Sequence, residues 1–184
     1  MKRLFIAVDI SDEARRFAAE LIDRLRFNHQ SKGISWSKPE NLHITVKFLG
    51  DTDESTESKL LEVLSSVAPR FQPFRLDLEK PELLGRRVIS IAARSDSPTV
   101  FSLEMAVDTE CERLGLEREG RRFHPHLTLG RIRRPEGIRE LSKQFLETQI
   151  EPLSFEVHEI VLYESELGAG GSVYRVVERF GLSR

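Results

Sequence analysis

Apolar positions along the chain follow two periods, one of two residues and one of three to four, and the changes between them mark the elements. Residues 4–10 form a short apolar run bounded by Asp9 and Ser11, which predicts a buried strand. Residues 11–27 change to helical spacing, with Ala14, Phe17, Leu21 and Leu25 as the stripe. Ser11 is placed to cap that helix, and Asp12 and Glu13 suit the positive end of its dipole. A strand is predicted over 42–49 and a helix over 53–68, with Leu60, Leu64 and Val67 on one side. Residues 74–79 and 87–94 alternate and read as two strands turning near Gly85.

The second half repeats the rhythm. Ser97-Pro98 starts a helix, with Pro at its first position. Val100, Leu103, Val107, Cys111 and Leu114 form its stripe, and Gly115 ends it. A strand over 126–132, a helix over 138–146 and strands over 154–163 and 172–180 follow, the last two joined by a turn at Gly168-Ala169-Gly170-Gly171. Hairpins mixed with crossovers point to α+β with mostly antiparallel strands, against a doubly wound parallel sheet.

Composition narrows this little: 39 % hydrophobic and 32 % charged residues suit an ordinary soluble chain. Charge changes the picture more. With 28 Lys and Arg against 30 Asp and Glu, the net charge of -2 does not favour a polyanion, so any RNA contact must come from a local basic patch. The single cysteine, Cys111, sits in a helical apolar stripe and reads as core. The apolar run after Met1-Lys2-Arg3 is too short for a signal sequence or a membrane span, so a cytoplasmic protein is expected. Neither common glycine-rich phosphate loop is present.

The informative feature is a weak internal repeat. His43-Ile44-Thr45-Val46 recurs 83 residues later as His126-Leu127-Thr128-Leu129. On a strand, His43 and Thr45 share one face while Ile44 and Val46 take the other, and the second copy has the same parity. Two such strands meeting in a cleft would offer two imidazoles and two hydroxyls to one bound group, a set that suits a phosphodiester. One imidazole can take a proton from water while the other protonates the departing oxygen, since an unperturbed pKa of about 6.5 allows both forms. The hydroxyls can donate to phosphate oxygens in the transition state. One His-x-Thr alone is weak; two satisfied structural histidines are the bland alternative.

The chain resembles the two-histidine (2H) phosphoesterases, and within them the RNA 2',3'-cyclic phosphodiesterases, also called 2'-5' RNA ligases. Arg3-Leu4-Phe5-Ile6-Ala7-Val8 is similar to the family's first strand, and Trp36 through Gly50 to its first motif with flanks. Phe123 through Arg131 is similar to the second motif, and Leu162 through Leu167 with Gly170, Gly171 and Tyr174 to the closing hairpin. The resemblance implies one domain, 1–184, of two intertwined lobes, each with one motif: two pseudo-symmetric antiparallel sheets face a central cleft, with helices outside. It further implies hydrolysis of a terminal RNA 2',3'-cyclic phosphate to a 2'-phosphate without metal or nucleotide cofactor. His43 matches the proton donor and His126 the acceptor. Substrates would be RNA ends or cyclic-phosphate nucleotides, with no membrane partner, and the protein is expected to be a monomer. Gly130 stands where many members carry a larger residue, an expected loosening of that strand's end. RNA ligation, another small cyclic phosphodiesterase activity and non-catalytic RNA-end binding are the rival readings.

Phe48 and Arg131 each follow their histidine by five residues. That odd offset points both away from the cleft unless the strand ends or bends. Phe48 is a candidate for stacking on the terminal base, with core packing the alternative. Arg131 is a candidate phosphate clamp, with a surface salt bridge the alternative. His124 shares parity with His126, so a three-histidine metal site with His43 is a minor alternative. Arg118, Arg121, Arg122, Arg133 and Arg134 could guide RNA or be a solvated loop. Tyr163 reads as a hairpin aromatic, and His29 and His158 as incidental.

Overall fold

The structure is a computed structural model that describes residues 1–29, 33–134, 139–168 and 171–183. The His29 side chain, residue 138 and the Ala169–Gly170 part of the expected turn lie outside the described residues.

Among the described residues, nine strands run in chain order: β1 (Lys2–Asp9), β2 (Ile34–Trp36), β3 (His43–Thr52), β4 (Phe74–Leu84), β5 (Val88–Arg94), β6 (His126–Ile132), β7 (Leu153–Val157), β8 (Glu159–Gly168) and β9 (Gly171–Gly181). The helices are α1 (Asp12–His29), α2 (Glu54–Val67), α3 (Thr99–Arg113) and α4 (Arg139–Leu146). Most sequence expectations fall within a few residues of these bounds. The expected strand over 154–163 divides into β7 and β8, and β2, only three residues long, was missed. Pro98 lies just outside α3, where the Ser97 hydroxyl accepts from the Thr99 amide at 3.1 Å. Ser11 does cap α1, its hydroxyl accepting from the Ala14 amide at 3.1 Å.

All strand pairs are antiparallel, in one curled sheet of order β7-β4-β5-β6-β3-β1-β8-β9, with β2 on β6. The expected two separate sheets are therefore two arms of one sheet. They join where β3 and β6 pair at Ile44 and Leu127, the residues that follow the two histidines. β1, inside its arm, is buried from Leu4 to Val8, which explains an apolar run without alternation.

The core gathers the helical stripes against the sheet: Ala14, Ala18, Leu21 and Leu25 of α1, Leu60, Leu64 and Val67 of α2, and Val100, Leu103 and Val107 of α3 are buried. Cys111 belongs to the same core, and burial raises its thiol pKa to about 11.

The two motif strands share an irregularity that sequence parity does not carry. On β3, Ala7 pairs with Thr45 and Ile6 with Lys47, leaving Val46 extra. On β6, Ser90 pairs with Thr128 and Ile89 with Gly130, leaving Leu129 extra. Each bulge lies three residues after its histidine, and each reverses the parity beyond it. Lys47, only 4 % exposed, is thereby turned into the core. There its ammonium donates to Asp108 at 2.6 Å and to the Glu117 carbonyl at 2.8 Å, so the buried charge is paired.

Candidate active site

His43 opens β3 and His126 opens β6. Ile44 pairs with Leu127, so the two motif strands meet at the residues that follow the histidines.

The rings are held alike. His43 Nδ1 donates to the Asn41 carbonyl at 2.7 Å, and His126 Nδ1 to the His124 carbonyl at 2.8 Å. Both carbonyls stand two residues upstream. A carbonyl only accepts, so each neutral ring carries its proton on Nδ1 and leaves a lone pair on Nε2. The Thr45 hydroxyl donates to His43 Nε2 at 3.1 Å. The turn preceding His43, a 3-10 turn at Pro39–Asn41, is braced by Arg15, whose guanidinium donates to the carbonyls of Pro39 at 2.6 Å and Leu42 at 3.2 Å. Asn41 also donates to the Ser172 carbonyl on β9 at 2.7 Å.

Aromatic rings enclose His43. Phe5 and Tyr174 lie with ring centroids 4.9 and 5.3 Å away, and Tyr163 stacks behind Phe5 at 5.2 Å. Burial lowers the His43 pKa from 6.5 to about 4, against the opposing pull of the Asn41 carbonyl and Asp9. Burial also lowers that of His126, with His124 and Arg131 adding to the effect while the His124 carbonyl and Glu82 oppose it. Both imidazoles are therefore mostly neutral in the free protein near pH 7. The two histidines also repel each other's charged forms.

A cavity of about 180 Å³ opens beside His43, lined by His43, Thr45, Thr128, Phe48 and Arg131 among others. His126 shares the Thr128 face of β6 but stands outside that lining. The bulges account for Phe48 and Arg131: by reversing parity after Val46 and Leu129, they return both to the histidine face. Phe48 is 60 % exposed, which removes the core-packing alternative. Arg131 has no ion-pair partner among the described residues, which removes the salt-bridge one.

Other expectations are redirected. His124 pairs with Glu82 at 2.8 Å, and the described residues form no cluster of three or more metal-binding side chains. Arg118 is engaged with Asp108 at 3.2 Å. Arg133 lines the cavity. Tyr163 donates to Asp9 at 2.5 Å beneath the site, and its own pKa is raised by burial and by that carboxylate. His158 forms an exposed pair with Glu156. Gly130 does not loosen its strand. A Cβ there would meet Trp36 Cε3 at 3.0 Å and Ile34 Cγ2 at 3.2 Å, so the glycine lets β2 dock closely on β6.

Sequence reasoning assigned no role to Trp36, Ser37, Lys38 or Tyr174, all in the cavity wall. Their only signal was membership of the stretches flanking the first motif and closing the chain.

The family model described as the 2'-5' RNA ligase superfamily matches residues 12–169. The RNA 2',3'-cyclic phosphodiesterase of Methanothermobacter thermautotrophicus is 30 % identical over 186 residues, covering 98 % of this chain and 98 % of that protein. Its namesake in Methanocaldococcus jannaschii is 31 % identical, covering 97 % and 99 %. Among solved structures, Escherichia coli LigT complexed with 3'-AMP superposes with a TM-score of 0.78 at 26 % identity, covering 100 % of this chain and 99 % of LigT. No helix among the described residues is long and apolar enough to cross a membrane.

Proposed function

The chain belongs to the 2'-5' RNA ligase superfamily, and on that premise we propose that it hydrolyses a terminal RNA 2',3'-cyclic phosphate to a 2'-phosphate by acid–base catalysis between His126 and His43, without metal or nucleotide cofactor. The relatives' activity supports the substrate. The observation that carries the mechanism is the matched suspension of the two rings, each with Nδ1–H given to a carbonyl two residues upstream, which leaves Nε2 as the unprotonated nitrogen, on His43 in hydrogen bond with the Thr45 hydroxyl.

In the proposed reaction, neutral His126 takes a proton from water through Nε2 as that water attacks phosphorus. The bond from phosphorus to the ribose 3' oxygen breaks, and His43, as imidazolium, protonates that oxygen through its own Nε2. The products are a 2'-phosphate and a 3'-hydroxyl, with the proton returned from His126 to His43 through solvent. Thr45, Thr128 and Arg131 hold the non-bridging oxygens, whose charge rises in the transition state. Phe48 stacks on the terminal base. His43 is neutral in the free protein, so it takes up a proton from solvent as the substrate binds, because a phosphodiester anion at Nε2 stabilises the imidazolium.

We read residues 1–184 as one domain of two intertwined lobes, related by an approximate two-fold through the Ile44–Leu127 bridge, with helices on the outer faces. The direct test is turnover of a cyclic-phosphate-ended oligonucleotide after exhaustive chelation, with the product position identified. Formation of the 2'-phosphate by the wild type, and its loss in both His43→Ala and His126→Ala, is the expected result. Activity that disappears with EDTA and returns with Zn or Mn would overturn the mechanism.

A further inference from the structure

We propose that Glu82 and His124 are positioning residues for His126: the Glu82 carboxylate grips the His124 ring, so that the His124 carbonyl stays on Nδ1 of His126 and a fixed negative charge faces the imidazolium formed when His126 takes its proton. The proposal deepens the reaction given above and rests on it.

Sheet register carries the carboxylate to the site. Glu82 on β4 pairs with Ser90 on β5, and Ser90 with Thr128 on β6. Directly paired residues project from the same side of a sheet, so these three form one row on the histidine face. The neighbouring row is Lys80, Ala92 and His126. Ser90 and Ala92 are small, so the longer side chains of Glu82 and His124 meet across β5. His124 Nε2–H donates to the two carboxylate oxygens at 3.0 and 2.8 Å. The buried Ser90 hydroxyl donates to Glu82 Oε1 at 3.3 Å. The Glu82 side chain is only 16 % exposed, so its charge depends on these partners.

The chain that holds His126 is thereby tied on both sides. The His124 ring hangs from Glu82, and the Pro125 carbonyl accepts from the Ala93 amide at 3.0 Å. Between those ties lies the carbonyl that takes His126 Nδ1–H at 2.8 Å. The two histidine rings lie 6.2 Å apart and nearly parallel. In the first motif the corresponding residue is Asn41, whose side chain donates to the Ser172 carbonyl. Of the two residues that hold the imidazoles, only His124 hangs from a carboxylate.

Burial opposes a positive charge on His126, as do His124 and Arg131, whereas the His124 carbonyl and Glu82 favour it. The other ionisable groups on this face are His43 on β3, Lys80 on β4 and Arg94 on β5, the last tied to Glu79 and Asp96; β2 brings none. Glu82 is thus the carboxylate placed to steady the base once it is charged.

The test combines NMR titration of the free protein with kinetics on a dinucleotide ending in the cyclic phosphate. In wild type, neutral His126 should be the Nδ1–H tautomer by nitrogen NMR. In Glu82→Gln, His126 should titrate at lower pH and lose part of that tautomer preference. Its kcat should fall by about 5- to 50-fold, a fraction of what a positioned base contributes, with KM within about twofold of wild type. His124→Ala removes the tether but leaves the carboxylate, so tautomer preference and kcat should fall without the downward shift in titration. His124→Gln, which keeps a side-chain N–H donor, should restore kcat to within about threefold of wild type. A fall in kcat with titration and tautomer unchanged, or an effect on KM alone, would overturn the proposal. So would wild-type behaviour of Glu82→Gln and His124→Ala. If the wild type hydrolyses no cyclic phosphate, the reaction above fails, and the titration and tautomer of His126 still decide the role of the pair.

Discussion

Replacing His43 with Gln should remove a pH dependence from the stability of the whole protein. In the folded chain His43 holds its proton only below about pH 4, whereas in the unfolded chain it does so below about 6.5. Between those values the unfolded state binds more protons, so wild-type stability falls as the pH drops from 6.5 towards 4, and is unaffected by this group above that window. The difference corresponds to about 3 kcal/mol at 1.36 kcal/mol per pKa unit, of which about 2.5 kcal/mol is lost by pH 4.5. Urea unfolding of wild type and His43→Gln at pH 7.5, 6, 5 and 4.5 measures it. The carboxylates titrate in both proteins and cancel in the difference. The stability of wild type minus variant should drop by about 2–3 kcal/mol across the series. Inorganic phosphate, as an anion beside Nε2, should restore part of the loss in wild type only. Parallel curves would refute the reasoning: His43 would then charge freely in the folded protein, and the ring enclosed by Phe5, Tyr163 and Tyr174 would be solvated.

Three further outcomes are expected. Thr45→Val and Thr128→Val should each lower kcat by about 10- to 1000-fold, since the lost donor acts on transition-state charge; wild-type kinetics in both would place the phosphate elsewhere. On a nitrophenyl phosphodiester, whose leaving group needs no proton, His43→Ala should regain most of its lost rate relative to wild type and His126→Ala should not; recovery in the His126 variant alone would reverse the roles. Gly130→Val should destabilise the fold by about 1–3 kcal/mol and raise KM, because the new side chain pushes Trp36 in the cavity wall; unchanged urea midpoint and KM would show that β2 yields freely.

What the sequence by itself determined is what rests on short-range periodicity. Ala14, Leu21 and Leu25 were legible as a buried face because a helix returns to that face every three to four residues. The shared face of His43 with Thr45, and of His126 with Thr128, was legible because a strand alternates. The repeat of that pattern was enough to name the two imidazoles and to expect a cleft. Tertiary structure decided whatever depends on the pairing partner. An extra residue in a strand exists only relative to the neighbour it fails to match, so the bulges at Val46 and Leu129 leave no local mark. They nevertheless decide that Phe48 and Arg131 rejoin the histidine face and that Lys47 needs Asp108 in the core. The union of two arms into one sheet rests on a single bridge between residues 83 apart, Ile44 and Leu127. The low pKa of His43 likewise comes from Phe5, Tyr163 and Tyr174, which are remote in sequence and reach the ring only because β1, β8 and β9 stack beside β3. Desolvation depends on everything that surrounds a group, so no local stretch of chain can specify it.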